Sequence, residues 1–157
     1  MASVIRGSDN FDTGTVGKVV QVVESIQSGV ISTTATSMTV FGTGASITPT
    51  LSTSKILVTI TCSLSASTAI QVPVSIFRDA TNLTAAGDNG MVEMLISSSS
   101  DTKEVTVRKL DAPSTTSAIT YKLGVYASSG TVYSGRRGDS TAWNKGSINI
   151  TLMEILA

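Results

Sequence analysis

Residues 110–126, Leu-Asp-Ala-Pro-Ser-Thr-Thr-Ser-Ala-Ile-Thr-Tyr-Lys-Leu-Gly-Val-Tyr, set a breaker, a polar turn and a strand in sequence. Pro113 has no backbone donor and a fixed φ, so it ends whatever precedes it. Asp111, Ser114 and Thr115 are side chains that hydrogen-bond nearby backbone and favour turns. Ile119, Tyr121, Leu123 and Val125 then alternate with Thr120, Lys122 and Gly124. That period of two is the pattern of a strand with one buried face.

Similar strands lie on either side. Lys55–Ser65 is the clearest, with Ile56, Val58, Ile60, Cys62 and Leu64 on one face and Thr59, Thr61 and Ser63 on the other beside Leu57. Ile70–Phe77 points Ile70, Val72, Val74 and Ile76 inward, and Pro73 assigns it to a sheet edge or a bulge. Asn89-Gly90 predicts a hairpin turn leading into a strand at Met91–Ile96. Glu104–Leu110, a short stretch at Tyr133 and Ile148–Ile155 complete the set. Towards the N-terminus, Ser37–Phe41 reads as a short strand broken by Gly42-Thr43-Gly44, and the valines of 18–24 ask for burial on both faces. No segment carries a convincing helical period. Eight or nine strands at this spacing make an all-β sandwich or barrel over residues 18–157. Residues 1–17 are polar and Gly-rich and read as an extended arm anchored by Phe11.

Composition narrows the class. The formal net charge is zero, with 14% charged residues and no basic run, which argues against binding a phosphate backbone. Ser and Thr make up about 30% of the chain, well above ordinary globular usage. Aromatics are 4%, so the core must be aliphatic, and oligomerisation would add burial. Cys62 is the single cysteine, which excludes an intrachain disulfide and suggests an inert buried thiol. No secretory leader and no apolar run long enough to span a membrane is evident.

Five stretches resemble, in order, elements of a β-sandwich domain of tailed-bacteriophage virion proteins. They are Gly17–Val23; Ala45–Pro49 followed by Ser54–Val58; Ile76-Phe77-Arg78-Asp79-Ala80-Thr81; residues 110–126; and Ser147–Ile155. The resemblance implies a jelly-roll-like antiparallel sandwich that forms a homotrimer. Only about 17 residues precede it, too few for a fibre shaft, so a capsid decoration (cement) protein is expected, contacting the major capsid protein or other virion proteins. Such a chain would be made in the host cytoplasm and reside on the capsid surface. A receptor-binding tip of a tail or head fibre, contacting host glycans, is the alternative. A bacterial carbohydrate-binding module is a further one.

Little in the chain suggests catalysis. There is no histidine, which removes His-dependent triads and the common zinc sites. The loop carboxylates Asp9, Asp12, Asp79 and Asp88 suggest no acid pair. No catalytic residue, cofactor or metal site is therefore assigned. Phe11, Val20, Val23, Arg78 and Asp79 are candidates for subunit or capsid contact, Arg78 by forking onto a neighbouring subunit's carboxylate or carbonyl. Tyr133 and the lone Trp143 are candidates for ligand contact. Arg137-Gly138-Asp139 spells an integrin tripeptide but reads as an exposed turn, and Asn82-Leu83-Thr84 and Asn149-Ile150-Thr151 match the glycosylation sequon.

Overall fold

The computed structural model describes residues 17–84, 89–140 and 146–157. Eleven strands and no helix occur among them: β1 Val19–Ser28, β2 Ile31–Thr33, β3 Thr39–Ile47, β4 Lys55–Ala66, β5 Ile70–Arg78, β6 Thr81–Asn82, β7 Val92–Ile96, β8 Thr102–Asp111, β9 Ile119–Val125, β10 Val132–Ser134 and β11 Ser147–Ile155. One sheet runs β1-β11-β4, with β8 on the far edge of β4 and the short β10 and β2 continuing past the end of β11. The other runs β3-β9-β5, with β7 and β6 sharing the far edge of β5. Every pairing is antiparallel. Setting aside the short β2, β6 and β10 leaves eight strands, ordered first-eighth-third-sixth in one sheet and second-seventh-fourth-fifth in the other. That is the jelly-roll arrangement of a double-sheet sandwich.

Alternation explains the packing. Ile56, Val58, Ile60, Cys62 and Leu64 of β4 are fully buried, as are Val72, Val74 and Ile76 of β5 and Ile148 and Leu152 of β11. They meet Tyr121 and Leu123 of β9, Phe41 of β3 and Val107 of β8 in one core. Full burial of such side chains is worth about 1.5–3 kcal/mol each. β9 spans Ile119–Val125, as its alternation predicts.

Several expectations are corrected. The Gly42-Thr43-Gly44 stretch does not break β3; it makes a bulge, where the register with β9 shifts between Phe41 and Ala45. Both glycines have φ near +92°, a conformation side chains with a Cβ resist. The bulge leans on β1 of the facing sheet: Gln27 Oε1 accepts from Thr43 N at 2.8 Å, and a Cβ at Gly42 would lie 2.3 Å from that oxygen. β5 is not an edge strand. Pro73 sits one residue past the last β9 pair at Val74, where only β7 on the other side still pairs, so its missing donor faces the end of β9. Asn89-Gly90 does not close a hairpin, because β6 and β7 both pair with β5 and not with each other. β1 is buried on one face only: Val23 packs on the core while Val19, Val20 and Val22 are exposed. The predicted arm, apart from Gly17, lies outside the described residues, and so does Phe11.

Candidate functional site

The segment that decides the fold also joins the two sheets. Asp111 ends β8 in the first sheet, and Tyr121 and Arg78 belong to β9 and β5 in the second. Asp111 Oδ2 accepts from Tyr121 Oη at 2.7 Å and from Arg78 Nη1 at 2.9 Å. Tyr121 is fully buried. Burial, together with the hydrogen bond to Asp111, pushes its phenol well above the ordinary tyrosine value. The Asp111 side chain is 10% exposed and the Arg78 side chain 27%. Arg78 Nη1 is committed to Asp111 of its own chain.

Asp79 serves the adjoining turn. It has φ +52°, which aspartate tolerates better than most residues. Its N–H donates to Thr120 O at 2.7 Å and its Oδ1 accepts from Thr120 N at 2.9 Å. The Arg78-Asp79 motif thus ties β5 to β8 and β9.

At the same end, Glu154 of β11 is completely buried. Its Oε1 accepts from Thr50 N at 2.7 Å and Thr50 Oγ1 at 2.6 Å. Desolvation opposes the charge, but hydrogen bonding from the Thr50 amide and hydroxyl outweighs it and holds the carboxyl below its ordinary value.

The opposite end carries the aromatic candidate Tyr133. Tyr133 on β10 is half-buried, and the Arg136 guanidinium stacks 4.1 Å from its ring centroid. That ring face is therefore covered. Arg136 donates to Arg137 O and Gly138 O, and Arg137 pairs with Asp139 at 2.7 Å. A Cβ at Gly138 would sit 1.7 Å from Ala66 O. The Arg-Gly-Asp tripeptide is thus folded on itself and packed onto β4. Trp143 lies outside the described residues.

The outer face of the first sheet is the largest feature that the sequence did not single out. Register places residues in rows across β1, β11, β4 and β8. One row is Val22–Met153–Leu57–Leu110. Val22 is 57% exposed and Leu110 50%, and Val20 beside them 40%. The next outward row is Glu24–Thr151–Thr59–Arg108. Beyond it, Thr61, Ser63, Glu104, Ser147 and Asn149 line a shallow depression of about 350 Å³. Of the sequence candidates, Val20 belongs to this face and Val23 does not, since it points into the core. The signal for the rest was the interruption each makes in a hydroxyl-bearing face, as Leu57 does among Thr59, Thr61 and Ser63.

No protein-family model matches the chain, and no curated protein does. Among solved structures, a chain from the structure of infectious bursal disease virus, Gx strain, is similar with a TM-score of 0.43 and 11% identity. The match covers 99% of this chain and 46% of that one, so this chain spans less than half of its length.

Proposed function

We propose that the chain is a non-enzymatic structural protein of a tailed-bacteriophage virion, a homotrimeric capsid decoration protein that bridges shell subunits and stiffens the shell. The observation that carries this reading is the division of labour between the two faces of the first sheet. The buried carboxylates Asp111 and Glu154 are committed to hydrogen bonds inside the fold, while the outer face offers apolar and hydroxyl side chains. What the molecule presents to its surroundings is a surface. The ordered resemblance of five stretches to phage virion sandwiches supplies the biological setting. A fold alone does not imply a function, so the setting rests on that order and not on the jelly roll.

A second reading, a receptor-binding fibre tip, is favoured by the hydroxyl- and amide-lined depression beside Glu104 and Asn149, which suits a polar ligand such as a glycan. Quantitative mass spectrometry of purified particles separates the two. A decoration protein gives copies comparable in order of magnitude with the major capsid protein. A few copies per particle would overturn decoration in favour of the fibre tip. Absence from particles, with sugar binding by the isolated protein, would move the assignment to a carbohydrate-binding module.

A further inference from the structure

We propose that the outer face of β1, β11, β4 and β8 is the surface on which a second copy of this chain docks, with β1 of one copy meeting β8 of the next at the same height. It rests on the virion reading only for the number of copies, three.

The apolar row Val22–Met153–Leu57–Leu110 crosses the whole width of the sheet, from one edge strand to the other. Its two most exposed members, Val22 and Leu110, sit at the edges. The row above it places Glu24 on one edge and Arg108 on the other. Three strand spacings separate them, about 14 Å, too far for contact within one chain. Among the described residues neither takes part in an ion pair. Charges of opposite sign thus stand at opposite edges of one row, directly beside an apolar row.

A rotation axis parallel to the strands joins these edges. It keeps each row at its own height and brings the β1 edge of one copy to the β8 edge of the next. Val22 then meets Leu110, and Glu24 meets Arg108, in the same operation. Three copies close such a ring, with Met153 and Leu57 turned towards the axis. The right-handed twist of a sheet makes the meeting edges cross, which confines close contact to a few rows, and the apolar and charged rows are adjacent. The paired charges set the register, and the apolar row supplies the burial.

Two variants of the full chain test this. The double substitution Val22→Cys with Leu110→Cys places thiols too far apart to bridge within a chain, and Cys62 is buried away from both. Mild oxidation is expected to yield covalent trimers on a non-reducing denaturing gel, lost on reduction. The second variant is Glu24→Arg, expected to raise the dissociation constant at least tenfold by light scattering. Adding Arg108→Glu should restore most of the loss, which a damaged fold would not do. Trimers that neither cross-link nor respond to either charge change would overturn this surface and leave the trimeric reading standing. Cross-linking that stops at dimers supports the surface and overturns the copy number. A monomer at every concentration overturns both.

Discussion

Leu152 and Met153 are neighbours on β11, yet they belong to different environments. Leu152 lies in an inner row with Val23 and Val58 and is sealed by the second sheet. Met153 lies in the outer row with Val22, Leu57 and Leu110, which nothing else among the described residues covers fully. On the outer face of the second sheet, Phe77 lies almost buried against Gly124, so that a Cβ there would be 2.5 Å from the ring, while Leu95 stays exposed. Apolar character alone therefore does not identify the core. An apolar residue belongs to the core only when the fold supplies a cover.

The largest effects should come from the inner face. Leu152→Ala should lower stability by about 3–4 kcal/mol in urea unfolding, whereas Met153→Ala should cost about 1 kcal/mol or less in dilute protein. Equal losses would erase the distinction between the faces. Asp111→Ala removes the acceptor shared by Arg78 and Tyr121 and should cost about 2–3 kcal/mol; Arg78→Ala should cost less, because its guanidinium is partly in water. Gly124→Ala should cost about 1–3 kcal/mol by driving Phe77 off its seat, with partial recovery on adding Phe77→Leu.

The most diagnostic effect is on pH dependence. Burial, with the Glu104 charge adding to it, pushes the Cys62 thiol up to about 12, and Tyr121 is raised as well. Both groups hold their protons more tightly when folded. Their contribution is complete below about pH 9, where the unfolded thiol is still protonated, and is lost as pH rises towards 12. Cys62→Ala should flatten the first part of that decline, by up to about 1.4 kcal/mol per pH unit. Glu154 has the opposite sign: its lowered pKa stabilises the fold above the ordinary carboxylate value, and that contribution disappears as pH falls through it. An unchanged alkaline slope in the Cys62 variant would remove the thiol from this account.

Local pattern made β4 and β9 legible, since each alternates and buries the predicted face, and it made β11 legible as a strand. It misled where a residue has two uses. Gly42 and Gly44 suggest a break, but positive φ serves a bulge equally well. Pro73 suggests an edge, but a central strand accepts it where one neighbour ends. The role of Asp111 was out of reach because its partner Arg78 lies 33 positions away and on the other sheet. The outer row was equally hidden, because its four members come from four strands and only the register aligns them.

The first and last of the described strands, β1 and β11, lie side by side, with Gly17 N–H bonded to Leu156 O and Leu156 N–H to Lys18 O. A chain emerging from the ribosome therefore cannot pair β1 until β11 has been made. The loop to be closed holds every strand from β2 to β10, and folds dominated by such distant pairings form slowly. Until then β1 waits with its valines unpaired, so the strand at the edge of the sheet is also the one that nascent-chain chaperones would have longest to hold.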